Sequence, residues 1–245
     1  MLTPLPGSTR RPSTMSINRS RRMRTSRPAA NEVVLPSEYR LPFAACYAYS
    51  PKGDSEVSER SRKLCARVKN GRRQWLRSYV ARMHQEVSQK HRFSGFFNQH
   101  TLLVPIPNSP SSVRTSFWVA RRLALILQEA GLAEDVWTGL RRVSSVERSS
   151  SAWMWERPTV QQHYRSFAVI PSPRPPTEIV LVDDVITKGR TLVAAAMRLH
   201  EAFPKADIRA FALVRTMGLI LDVERLFAPC EGVIRWNGND AYRDP

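Results

Sequence analysis

The stretch Glu178-Ile-Val-Leu-Val-Asp-Asp-Val-Ile-Thr-Lys-Gly-Arg-Thr-Leu192 decides the reading of this chain. Four consecutive apolar residues, Ile179 to Val182, suit a strand buried on both faces, as in a parallel sheet. Two carboxylates, Asp183 and Asp184, follow where that strand is expected to end. A short loop then carries Thr187, Lys188, Gly189, Arg190 and Thr191, and the alanine-rich segment after it predicts a helix from Thr191 to Phe203. Ligands of open α/β sheets bind outside the carboxyl ends of the strands, and backbone N–H groups at a helix start favour an anion. Carboxylates suit sugar hydroxyls and the loop suits a phosphate, so a ribose 5-phosphate matches both. A plainer alternative, acids that only cap the next helix, stays open.

Outward from this stretch the chain alternates strands and helices. Residues 39–50 suit a strand or hairpin edge, with Tyr39, Phe43, Tyr47 and Tyr49. Asp54 or Ser55 caps a helix through Leu64, Cys65 and Val68 that Gly71 ends, and a second helix is expected from Arg72 to Gln89. Phe93 to Phe97 is read as a turn. A strand from Thr101 to Ile106 ends in a loop made rigid by Pro105, Pro107 and Pro110. Ser112 then caps a helix from Val113 to Ala130, which Gly131 stops. Further strands are expected at Val136 to Leu140, Phe167 to Ile170 and Ile208 to Val214, with residues 143–166 a polar loop and Pro171 to Pro176 a linker. Such alternation predicts a doubly wound parallel sheet flanked by helices. The domain reading is a disordered tail over 1–38, a mostly helical part over 39–100, a core over 101–220 and an extension over 221–245.

The central stretch resembles the phosphoribosyl pyrophosphate (PRPP) signature of the type I phosphoribosyltransferases: an apolar strand, two acids, then a loop rich in Thr and Gly. The resemblance implies that fold, with Asp183 and Asp184 on the ribose hydroxyls, directly or through Mg²⁺-bound water, and Thr187, Lys188, Gly189, Arg190 and Thr191 around the 5′-phosphate. Lys188 and Arg190 depart from the pattern, which often has Thr and a small residue there. Tyr47-Ala-Tyr49, Val68-Lys-Asn-Gly71, Val104-Pro-Ile-Pro107, Leu140-Arg-Arg142, Arg157 and Ser166-Phe-Ala-Val169 follow an order that looks like the ComF group of phosphoribosyltransferase-like proteins. Those proteins usually begin with a four-cysteine zinc finger, which this chain lacks.

The implied chemistry is displacement of pyrophosphate from PRPP by a nitrogen nucleophile, a nucleobase, with Mg²⁺ as cofactor. Catalytic expectations fall on Asp183, Asp184 and Arg157. Pyrophosphate contacts fall on Asn108, Ser109 and Arg114 in the loop after the first core strand, and on Arg148 in the polar loop. Trp236, Asn237, Asn239, Asp240 and Tyr242 are weighed as a base pocket against a surface tail, which is preferred, and His163 is read as a solvated loop histidine.

Composition bounds the remaining classes. The 245 residues are 42% hydrophobic, enough for a packed core, and no apolar run is long enough to span a membrane. Cys46, Cys65 and Cys230 lie far apart and are odd in number, so neither a metal site nor a disulfide framework is expected. A reducing, cytoplasmic setting follows. Net charge is +17, and residues 1–31 hold seven arginines and no acid. That segment reads as disordered. It suits a nucleic-acid-binding arm, a transit-peptide-like leader, or a start upstream of a true first residue at Met15 or Met23, and the reading preferred is a disordered appendage without essential function. The remaining residues keep +10, which draws in polyphosphorylated substrates or a nucleic acid. The alternative function is accordingly a non-catalytic PRPP- or nucleotide-binding regulator, or a component of DNA uptake or defence that contacts nucleic acid. PRPP, a small-molecule acceptor and a second copy of the chain are the partners admitted.

Overall fold

A computed structural model describes residues 35–108, 118–144, 158–172, 175–218 and 220–245. Its frame is a seven-stranded sheet. In chain order its strands are β1 (Tyr39–Tyr49), β2 (Leu102–Pro105), β3 (Asp135–Val136), β6 (Glu178–Ile186), β7 (Asp207–Thr216), β8 (Phe227–Trp236) and β9 (Ala241–Asp244). Across the sheet they run β3-β2-β6-β7-β1-β8-β9. The first five are mutually parallel, and β8 and β9 add an antiparallel edge. A separate two-stranded sheet pairs β4 (Leu140–Arg142) with β5 (Phe167–Val169). The helices are α1 (Glu56–Asn70), α2 (Arg73–Lys90), α3 (Val119–Glu129), α4 (Val160–Ser166) and α5 (Arg190–Ala202).

The mostly parallel α/β sheet expected from the sequence is present, with apolar layers on both faces. One layer joins Ile179 and Leu181 of β6 to α4 and α5; the other joins Val180 and Val182 to α1, α2 and α3. Continuous burial from Ile179 to Val182 is why that strand lacks the polar alternation of a one-sided sheet. Ala194, Ala195 and Ala196 are fully buried on α5, and their short side chains let the helix lie close to the strands. Ser55 caps α1 by accepting from Ser58 N, and Gly71 ends it in the left-handed region.

Strand order fixes where a ligand is expected. From β2 the chain moves through α3 to β3 on one side; from β6 it moves through α5 to β7 on the other. The β2/β6 boundary is therefore the topological switch point, the crevice at which doubly wound sheets bind ligands.

Several expectations change. Residues 221–245 are not a surface tail: Phe227–Trp236 and Ala241–Asp244 extend the central sheet, and Trp236 is 2% exposed. Their sequence hides this, because Pro229, Gly232 and Arg235 interrupt any apolar alternation. The segment expected as one strand from Val136 to Leu140 is divided between β3 and β4, two different sheets, with Trp137 packed edge-on to Phe203 between them. Within the expected loop at 143–166, Val160–Ser166 is a helix held by a capping box between Thr159 and Gln162. The helix expected from Val113 runs over Val119–Glu129, and Ser112 lies outside the described residues. So does almost all of the 1–38 tail. The other domain limits fall inside one compact unit, Leu35–Pro245, to whose sheet β1 and β8–β9 both contribute.

Candidate functional site

β6 does not stop before its acids. It runs on to Ile186, so Asp183 and Asp184 stand on its last turns of pleat, both half-buried. Asp183 pairs in register with Ala212 of β7, so the strand beside it offers a small side chain. One oxygen of each acid accepts the next backbone N–H: Asp184 N to Asp183 Oδ1 and Val185 N to Asp184 Oδ1, both at 2.9 Å. Loss of water, followed by the adjacent Asp184 charge, holds the Asp183 carboxyl well above the ordinary carboxylate range. The loop after β2 lies alongside. Ile106 N donates to Val182 O at 2.9 Å, and Trp118 Nε1 donates to Ile106 O at 2.7 Å. Asn108, exposed, is the last described residue of that loop.

After Ile186 the chain turns into α5. Gly189 is its N-cap with φ at 85°, a conformation suited to glycine. A Cβ there would come within 2.8 Å of Ile234, so the close approach made possible by this glycine is to β8. Gly189 itself has no side chain with which to cap α5. Thr187 pairs its hydroxyl with Thr216 at 3.1 Å. Lys188 and Arg190 converge on one carboxylate: Lys188 Nζ meets Asp240 Oδ2 at 2.9 Å, while Arg190 meets Asp240 through Nε at 2.5 Å and Nη2 at 2.7 Å. Their charges hold Asp240 well below the ordinary carboxylate range in spite of its burial.

The α4 side supplies a third group that sequence reasoning missed. Arg142 at the end of β4 donates to Pro107 O at 3.2 Å and Ser166 Oγ at 2.6 Å, approaches His163 Nδ1 at 3.4 Å, and lies 4.4 Å above the Phe167 ring. Burial lowers its pKa to about 10, opposed by the charge of Asp183. His163 is 4% exposed, which corrects the reading of it as solvated. Its Nε2 lies 3.4 Å from Thr191 Oγ1, and burial plus the Arg142 and Arg190 charges push its pKa down to about 3, leaving a neutral ring. Arg142 thus ties the β2 loop to α4 and feels the charge of Asp183. The Leu140-Arg-Arg142 motif was its only sequence signal; for His163 the signal was the Thr159/Gln162 spacing that starts its helix.

Asp183, Asp184, Thr187, Lys188, Gly189, Arg190 and Thr191 therefore share one end of the sheet with Asn108. Ser109, Arg114, Arg148 and Arg157 lie outside the described residues. Among the described residues no group of three or more His, Cys, Asp or Glu could hold a metal. Two adjacent half-buried carboxylates, one with a raised pKa, fit a cation held by few protein oxygens. That is how Mg²⁺ binds when water and substrate phosphates complete its shell.

No family model matches the chain, and no curated protein matches it. Among solved structures it is similar to a Helicobacter pylori xanthine-guanine-hypoxanthine phosphoribosyltransferase, at 13% identity over 74% of this chain and 84% of that one, with a TM-score of 0.32. The architecture stated above rests on strand order and burial, not on this likeness. No described helix is long and apolar enough to cross a membrane.

Proposed function

We propose that the protein is a phosphoribosyltransferase that binds PRPP with Mg²⁺ and transfers the phosphoribosyl group to a ring nitrogen of a nucleobase, releasing pyrophosphate. The observation that carries the reading is the position of Asp183 and Asp184. They stand at the switch point, beside the β2 loop, and a glycine turn and the start of α5 follow within seven residues. In this reading the two carboxylates accept hydrogen bonds from the ribose 2′- and 3′-hydroxyls. The 5′-phosphate takes the N–H groups at the start of α5 and the hydroxyls of Thr187 and Thr191.

The bond from the acceptor nitrogen to ribose C1 forms as the bond from C1 to the pyrophosphate oxygen breaks. The electron pair leaves with pyrophosphate, and the acceptor's proton passes to solvent. Positive charge grows on the ribose ring, where the Asp183–Asp184 pair would offset it, and negative charge grows on the leaving group, where the charge of Arg142 would offset it. Mg²⁺, when bound, neutralises phosphate oxygens and lowers the repulsion within the acid pair. Asn108 and Ser109 would donate to pyrophosphate, and Arg114, Arg148 and Arg157 would add charge.

Calorimetry with MgPRPP, together with pyrophosphate release in the presence of each common base, tests this. Asp183→Asn combined with Asp184→Asn is expected to weaken PRPP binding about 100-fold or more with an unchanged melting profile. Undiminished affinity in the double variant overturns the proposal.

A further inference from the structure

Arg215, next to last in β7, lies toward the same carboxyl end of the parallel strands as the acid pair, in register with Ile186 of β6 and Ala48 of β1. That register puts it one strand over and two residues beyond Asp184, roughly 8 Å away between backbones. Its guanidinium is poorly met. Nη1 reaches only the Met217 sulfur at 3.1 Å, Nη2 reaches Ala228 O at 3.5 Å, and Nε is buried with no partner. It is the one buried side-chain donor left so among the described residues, and such a group calls for an explanation. A second arginine approaches from β9. Arg243 donates to Ile186 O at 3.1 Å, Thr216 O at 2.7 Å and Pro245 O at 3.0 Å, and its charge repels that of Arg215. Neither arginine forms an ion pair with a side-chain carboxylate of the described residues.

Two close cations facing no acid, one with its Nε unmet and its Nη groups weakly met, form a site for an oxyanion. We infer that Arg215, supported by the charge of Arg243, anchors a carboxylate carried by the acceptor heterocycle, so that this chain takes acidic rather than neutral bases. The inference rests on the transferase reading. The alternation of charge supports it: the phosphate groups of PRPP already have the start of α5 and Arg142, whereas Arg215 lies on a different element from both, its backbone roughly 8 Å from that of Asp184.

Equilibrium dialysis of the full chain against orotate and uracil, which differ by one carboxylate, tests the assignment. The expected result is orotate bound about tenfold more tightly than uracil. Arg215→Gln erases that preference while changing PRPP affinity less than about twofold, and Arg215→Lys, which keeps the charge but loses the fork, retains part of it. The Lys variant also carries the test should the Gln variant melt early. Equal binding of orotate and uracil overturns the inference, as does a preference that survives in Arg215→Gln. Inorganic phosphate bound with the same dependence on Arg215 assigns the oxyanion to a phosphate and overturns the acceptor assignment. Failure of the wild type to bind PRPP, with the orotate preference intact and dependent on Arg215, sinks the transferase reading and leaves Arg215 as a carboxylate anchor.

Discussion

Arg190 and Asp240, fifty positions apart, form a two-pronged ion pair that joins the start of α5 to the turn between β8 and β9. Lys188 adds a third contact to the same carboxylate. Both cations of the loop after the acid pair are thus matched inside the protein. Lys188 and Arg190 are thereby struts that hold the loop in place, and under the proposed function the backbone N–H groups and the threonine hydroxyls would take the larger share of the 5′-phosphate.

Asp240→Asn removes the charge while keeping the shape. Arg190 and Asp240 are only 22% and 16% exposed at their side chains, so the loss exceeds that of a surface pair but stays below that of a sealed one, about 1–2 kcal/mol. The pH dependence has a definite sign. Asp240 is more acidic when folded than when unfolded, so its contribution is complete above the ordinary Asp value of about 4 and declines only as pH falls below it. Urea melts of both proteins between pH 8 and pH 3 check this: the gap between them is constant down to about pH 5 and narrows below about pH 4.

His163 gives a second experiment with the same sign at higher pH. Its folded pKa, pushed down to about 3, lies below the unfolded value of about 6.5. Above that value neither state binds a proton there. Between the two, the unfolded chain takes up a proton that the folded chain refuses, so stability falls as pH drops, by about 1.4 kcal/mol per pH unit. His163→Gln, which can still accept from Arg142, abolishes that slope between pH 6 and pH 4. Denaturant melts measure the slope, and the His163 ring signals in NMR, unchanged down to pH 4, report the neutral ring directly.

What could be read in advance follows from how local each signal is. The strand before the acids announced itself because Ile179 to Val182 is apolar at every position, a pattern that burial on both faces produces. The start of α5 was legible from Gly189 and the alanines beyond it. Asp240 was not, because nothing near it in sequence records that Arg190 lies opposite. Arg142 and His163 were hidden for a similar reason: their partners Pro107, Ser166 and Thr191 come from three different segments. The β8–β9 edge was missed because an edge strand with Pro229 and Gly232 carries little apolar periodicity, although the pairing of β8 with β1 is extensive.

Arg142→Lys tests whether the guanidinium organises the site or only fills it. Lysine keeps the charge but cannot donate to Pro107 O, Ser166 Oγ and His163 together, and it stacks less well on Phe167. The expected loss is about 2–3 kcal/mol of stability. If Arg142 faces the leaving group, pyrophosphate release also slows at least about tenfold in a variant that remains folded at assay temperature. A stable variant with wild-type turnover would confine Arg142 to packing.

Gly189→Ala should be costly for two separable reasons. The added methyl meets Ile234 at 2.8 Å, and φ of 85° is strained for alanine in any surroundings. Together these destabilise by about 2–4 kcal/mol. Ile234→Ala alone also destabilises, since Ile234 is fully buried, by about 2–4 kcal/mol. Combined, the two substitutions should cost less than their sum by about 1–2 kcal/mol, because the methyl then occupies space the isoleucine vacates, whereas the backbone strain remains. A double-mutant cycle from urea melts measures that coupling. Strict additivity would mean that the glycine is required for its backbone angle alone and that the closeness of β8 to the loop plays no part.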